Sequence, residues 1–232
     1  MNRDVFPNFF LVGAPKAGTT ALYRYLDQHP QIYMSPIKEP HFFADEVRIE
    51  NFGEDFRRMA EQQLPALRAY LSGPVSERFS GGPIAEWADY LKLFQRVNNE
   101  TAIGEASVCY LWSESAPGNI HARFPRAKIL VMLRNPIERA FSQYAHMLSF
   151  AQKPVSFTQH MDTALRSGST RMSELYPFLR FGLYTDQIER YLARFGAAQM
   201  QIHFHEDFSR DPLQVMGAIF RFLGVDAGFA PD

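Results

Sequence analysis

The residues best suited to chemistry stand early in the chain. Gly13-Ala-Pro-Lys-Ala-Gly-Thr-Thr20 sets two glycines around one lysine, with two hydroxyl residues directly behind. Glycines let a backbone turn its N–H groups inward, and a helix starting near Thr19 adds about half a positive charge at its N-terminus, so this segment is suited to grip phosphate. Its frame is that of a nucleotide-triphosphate loop, G-x-x-x-x-G-K-[ST], with one departure. Thr19 occupies the lysine position, and Lys16 sits three residues earlier, inside the loop. A kinase or hydrolase also needs a carboxylate to hold magnesium, yet the apolar run Ile129-Leu130-Val131-Met132-Leu133 ends in Arg134. A cation stands where a metal-holding carboxylate would, so the expected chemistry moves a charged group from a nucleotide without a metal.

Other residues carry more than one reading. Glu39, between Lys38 and Pro40, is an exposed loop carboxylate or a general base. His41 orients that carboxylate, acts as the base, or packs beside Phe42 and Phe43 as a hydrogen-bonded core histidine. Glu105 and Ser107 follow the strand-like Thr101-Ala102-Ile103 and are placed to line an acceptor cleft. His203 and His205 alternate on one strand and share a face, but one His-x-His without a third ligand does not make a metal site. Cys109 reads as a small buried hydrophobe.

The elements that must position these residues follow from periodicity. Phe9-Phe10-Leu11-Val12 is an all-apolar run of a strand buried on both faces, followed by the glycine loop and a helix from Thr19 until Pro30. A second unit repeats the order: the strand at 129–133, then Asn135 as N-cap, Pro136 at the first helical position and Glu138 as capping glutamate. Ile137, Ala140, Phe141, Tyr144 and Leu148 give that helix its expected apolar stripe. Arg134 then ends a strand and Ser142 lies nearly two turns into the next helix, so both border the crevice at the carboxyl ends of the strands. Ser156 to Gln159 resembles a capping box whose helix ends near Gly168. Ile188 to Phe195 forms a helix closed by Gly196, Met200-Gln201-Ile202-His203-Phe204 a strand, and Asp211-Pro212 opens a last helix to Gly224. Trp87, Tyr90, Leu91 and Phe94 mark a further helix, while residues 45–82 read as weak helices and loops. Alternating strands and helices imply an α/β fold with a mostly parallel sheet.

Composition bounds the alternatives. The 232 residues are enough for one sizeable core, and 46% apolar against 21% charged residues are globular proportions. A net charge of -1 argues against binding nucleic acid by bulk electrostatics, so any anion site is local. One cysteine excludes an internal disulfide, and no stretch approaches the ~20 apolar residues of a membrane span. Asn2, Arg3, Asp4, Pro7 and Asn8 break up any signal-like run, which leads to the expectation of a soluble cytoplasmic protein. The sequence carries no sign of oligomeric state.

Pro15-Lys16-Ala17-Gly18-Thr19-Thr20 behind a buried strand resembles the 5′-phosphosulfate loop of sulfotransferases that use 3′-phosphoadenylyl sulfate (PAPS), and Arg134-Asn135-Pro136 with Ser142 is similar to that family's 3′-phosphate site. The likeness continues through Lys38-Glu39-Pro40-His41-Phe42-Phe43, Gly104-Glu105-Ala106-Ser107, Gly182-Leu183-Tyr184 and Phe220-Arg221-Phe222-Leu223-Gly224-Val225. Glu39 followed by His-Phe-Phe resembles the heparan-sulfate and bacterial branch.

The resemblance implies a three-layer α/β sandwich with a central, mostly parallel sheet and a P-loop-like phosphate-binding loop, in a single domain over 1–232. It implies transfer of a sulfuryl group from PAPS to a hydroxyl or amine of a small-molecule or carbohydrate acceptor, with no metal. Lys16 would steady the leaving oxygen, Glu39 would be the base and His41 its partner or substitute. Lys16, Ala17, Gly18, Thr19, Thr20, Arg134, Ser142 and Tyr184 would hold the nucleotide, and Glu105 and Ser107 would face the acceptor.

The sequence departs from the family at Ala106, where glycosaminoglycan-directed members have lysine, and at Val108, where they have proline. Members of that family commonly continue with a Gly/Arg-bearing segment that closes over the 3′-phosphate, which the sequence to Asp232 does not contain, so the domain reads either as shorter or as incomplete at its C-terminal end. A P-loop kinase or hydrolase and a non-catalytic nucleotide-binding module are the rival readings. The loops at 45–82 and 149–180 select the acceptor, with Phe150, Phe157, Tyr176 and Phe178 as aromatics that line a cleft or simply pack.

Overall fold

The computed structural model describes residues 5–149, 155–167 and 178–232. Asn2, Arg3 and Asp4 of the N-terminal reading, with Phe150 and Tyr176 among the aromatics, lie outside the described residues. Along the chain, β1 (Phe9–Gly13), α1 (Thr19–Asp27), β2 (Ile32–Met34), β3 (Ile37–Lys38), α2 (Glu54–Ser72), β4 (Phe79–Ser80), α3 (Trp87–Lys92) and β5 (Ala102–Ala106) make the first half. Then come α4 (Ala116–Arg123), β6 (Lys128–Leu133), α5 (Pro136–Leu148), α6 (Phe157–Ser167), α7 (Tyr184–Phe195), β7 (Met200–Phe204), α8 (His205–Arg210) and α9 (Pro212–Leu223).

Five strands pair in the order β2-β5-β1-β6-β7, and each of these pairings is parallel. Every residue of β1 and β5 is buried, as is all of β6 after Lys128, so both faces of the central sheet are covered and the α/β sandwich stands. From β1 the chain crosses toward β2 and β5, whereas from β6 it crosses toward β7. The two connections leave in opposite directions, which opens a crevice between the carboxyl ends of β1 and β6. Gly13 and Arg134 stand there.

Local chemistry sets several boundaries where expected. Asn135 caps α5 by accepting from Ile137 and Glu138 N–H, Asp211 caps α9 from Gln214 N–H, and Ser156 and Gln159 exchange side-chain and backbone bonds ahead of α6. Gly196 at φ 70 and Gly224 at φ 83 close α7 and α9.

Four expectations need correction. Residues 54–72 form one 19-residue helix rather than weak pieces, because its charged and amide side chains are good helix formers and Leu67 and Leu71, four apart, are buried. The expected apolar stripe of α5 is not its inner face: Ile137 is 74% and Phe141 56% exposed, while Arg139, Ala140 and Gln143 are buried. A polar pairing overrides the stripe, since the Arg139 guanidinium donates to Gln143 Oε1 at 2.6 Å and to the Phe178 carbonyl. Glu138 does not cap its own helix; Glu206 Oε1 takes the Asn135 N–H instead, at 2.9 Å. His205 does not continue β7 beside His203 but opens α8.

Candidate functional site

Two adjacent strands build the donor side. The Ala14 N–H donates to the Met132 carbonyl at 2.6 Å, locking the start of the phosphate loop against β6. A Cβ on Gly13 would sit 2.7 Å from Leu111 Cβ, and one on Gly18 would sit 2.7 Å from His205 Nδ1, so both glycines are required by close approach as well as by positive φ. Gly18 leaves the N-terminus of α1 with no side-chain cap and no acid in its first turn, which keeps it free for an anion. Ala17 and Thr19 are buried beneath the loop and Thr20 is exposed.

Lys16 sits at φ 65, a left-handed conformation uncommon outside glycine, and its carbonyl accepts from Arg134 at 3.3 Å. Burial first, then the charges of Arg134 and Lys38, hold the Lys16 ammonium below the ordinary lysine range. Three cations thus converge on one edge of the sheet. Arg134 also reaches Glu138 at 3.3 Å, an exposed pair of little strength, while its buried Nε has no partner among the described residues. Tyr184 donates its hydroxyl to the Arg134 carbonyl at 2.8 Å and so props this turn. Ser142 is half-buried on α5, about two turns beyond Asn135, and is not bonded to Arg134.

The opposite wall is the stretch after β3. Glu39 and His41 take φ 70 and 55, and the Glu39 N–H donates to the Ala106 carbonyl at 2.8 Å. One Glu39 oxygen pairs with the Lys38 ammonium and the other accepts the Val108 N–H at 2.8 Å. His41 Nδ1 lies 3.9 Å from Glu39 and is buried with no hydrogen bond among the described residues. Burial lowers the His41 pKa, against the pull of Glu39, so the ring is neutral near pH 7.

Glu105 and Ser107 do not line a cleft. β5 runs on through Ala106, which puts Glu105 in the core at 0% exposure, and Ser107, also at 0%, directly below His41. Ala106 is fully buried too and faces the core. Phe157 packs on Phe141 and Tyr144, and Phe178 is buried against His160.

Lys38 and Glu206 carry no site role in the sequence reading, and His205 enters it only as a strand-face partner of His203. Lys38 was visible beside Glu39. His205 opens α8 directly after β7, at the carboxyl edge where Gly18 stands, and its place behind a strand is a usable signal. Among the described residues no cluster of three or more His, Cys, Asp or Glu side chains is placed to hold a metal ion, and no helix is long and apolar enough to cross a membrane.

A parallel sheet with an uncapped helix N-terminus and a glycine loop at its switch point defines an α/β fold suited to bind phosphorylated ligands. The model of the sulfotransferase family matches residues 7–230, and the chain belongs to that family, whose members are PAPS-dependent transferases. It is 30% identical over 228 residues to bifunctional heparan sulfate N-deacetylase/N-sulfotransferase 4 of Mus musculus, covering 96% of this chain and 23% of that protein. It is 27% identical to carbohydrate sulfotransferase 15 of Rattus norvegicus, covering 94% of this chain and 44% of that protein. The chain therefore spans less than half the length of these curated relatives. Among solved structures, a sulfotransferase from Alicyclobacillus acidocaldarius is similar at 36% identity and a TM-score of 0.82, over 98% of this chain and 85% of that one.

Proposed function

We propose that this chain moves a sulfuryl group from PAPS to a hydroxyl or amine of a carbohydrate acceptor. The observation that carries the reading is the meeting of Lys16, Arg134 and Lys38 at one crevice, with Arg134 Nε left unpartnered beside an uncapped helix N-terminus. Such a site calls for a multiply charged anion. The carbohydrate class comes from the printed names of the relatives.

PAPS would supply an activated sulfuryl group whose S–O bond to phosphate breaks as a new S–O or S–N bond forms, leaving adenosine 3′,5′-bisphosphate. The loop N–H groups, Thr19 and Thr20 would hold the 5′-phosphosulfate, and Arg134 with Ser142 the 3′-phosphate. Lys16 would neutralise the charge that collects on the leaving phosphate oxygen; burial, and after it the charges of Arg134 and Lys38, lower its pKa, and a bound anion would offset that cost. Glu39 would take the acceptor proton, since His41 Nδ1 is buried and faces Glu39 rather than an open cleft.

The test is transfer of labelled sulfate from PAPS to a panel of amino sugars and hydroxylated oligosaccharides, with Lys16→Ala as the blank. Label on a sugar in the wild type alone supports the reading. Nucleotide binding with no transfer to any member of the panel, and no effect of Glu39→Gln, would favour a non-catalytic binding module.

A further inference from the structure

Glu105 has no part in the steps above, yet it is the one acidic side chain fully buried among the described residues. Three hydroxyls donate to it: Ser107 to Oε1 at 2.6 Å, and Tyr90 and Tyr110 to Oε2 at 3.0 and 3.1 Å. Two of those hydroxyls also accept a backbone N–H from the segment that carries Glu39. His41 N–H reaches Ser107 Oγ at 3.1 Å, and Phe43 N–H reaches the Tyr110 hydroxyl at 3.2 Å.

A hydroxyl has one proton and two lone pairs, whereas an ionised carboxylate only accepts. The carboxylate therefore draws the Ser107 and Tyr110 protons inward and leaves their lone pairs facing the segment. That segment needs an outside hold, because Glu39 and His41 sit at positive φ, where residues with side chains persist only under enforcement by their surroundings. A buried network this short polarises each of its bonds.

We propose that Glu105 is a positioning residue for the transfer assigned above: through Ser107 and Tyr110 it clamps residues 39–43 in the conformation that sets the Glu39 carboxylate beside Lys38. The proposal rests on Glu39 being the base. Burial raises the Glu105 carboxyl to about 7, against the hydrogen bonds from Ser107, Tyr90 and Tyr110, and Glu39 adds a further push upward. The groups facing it from neighbouring elements are Tyr90 of α3, Tyr110, Tyr191 of α7 and Glu39, and burial keeps all three tyrosines neutral. Protonation near neutrality turns one carboxyl oxygen into a donor and reverses part of the relay.

The experiment compares the wild type, Glu105→Gln, Ser107→Ala and Glu39→Gln in the full chain by amide hydrogen exchange and by labelled transfer from PAPS to a glucosamine oligosaccharide. In Glu105→Gln, exchange at His41 and Phe43 should speed up while the Ala14 amide stays as protected as before. The kcat should fall by about a hundredfold at unchanged KM for PAPS, the scale of an ångström's misplacement. The acid limb of the kcat profile near pH 7 should vanish. Should Glu105→Gln fail to fold, Ser107→Ala must show the loss of protection at His41 by itself. Unchanged exchange at His41 and Phe43 in either folded variant overturns the clamp. Full turnover in Glu39→Gln instead sinks the base assignment, and the exchange data still decide the clamp.

Discussion

The two walls of the crevice are held in different ways. On the donor side, Gly13 to Thr20 and Arg134 extend directly from neighbouring strands, and backbone bonds such as Ala14 N–H to Met132 O tie one loop to the other strand. Facing them, the 39–43 segment hangs on Ala106, Ser107, Val108 and Tyr110, with Glu105 behind. A wall made from sheet backbone tolerates side-chain change well beyond its own loop. A wall hung on side chains can be misaligned by a substitution in the core. Substitutions on the donor wall should therefore act through the nucleotide, and those on the other wall through the rate alone.

The largest break is expected at Lys16. Lys16→Ala should cut turnover by about 10³-fold, measured as label transfer from PAPS, because it removes the one ammonium inside the loop. Glu39→Gln comes next, with kcat lower by about 10²-fold or more in steady-state kinetics and nucleotide affinity unchanged, since Glu39 lies on the opposite wall and is proposed as the base.

A smaller effect sharpens the contrast through stability. The Glu105 carboxyl is raised in the folded protein from 4.5 to about 7, so the native state holds a proton that the unfolded chain has released across that window. Its contribution to stability is fully present below the unfolded value and is lost as pH rises toward 7. Chemical denaturation of Glu105→Gln between pH 5 and pH 8 should show a flatter profile than the wild type over that range. Smallest of all, Ile137→Ser on the exposed face of α5 should shift unfolding free energy by less than about 0.5 kcal/mol.

The same division governs what could be read from sequence. Lys16, Gly18 and Arg134 were legible because glycine spacing and a strand ending in arginine are local signals. The frames of β1, β6, α1 and α9 were legible because apolar runs and caps such as Asp211 act within a few residues. Glu105 was misplaced because β5 extends past Ile103 to Ala106, and a Gly-Glu-Ala strand end has no apolar signature. The inner face of α5 escaped because Arg139 turns inward to the Phe178 carbonyl, a partner outside the helix, and takes the i,i+4 residue Gln143 with it. Lys38 gained its place from the convergence with Lys16 and Arg134, which only tertiary structure creates.

Calorimetric titration with adenosine 3′,5′-bisphosphate tests the separation of the walls most directly, on the wild type, Arg134→Ala and Glu39→Gln. The wild type and Glu39→Gln should bind alike, while Arg134→Ala should bind about 10- to 100-fold more weakly, the worth of one charge-assisted phosphate contact. No binding by the wild type, or equal binding by Arg134→Ala, would contradict the account.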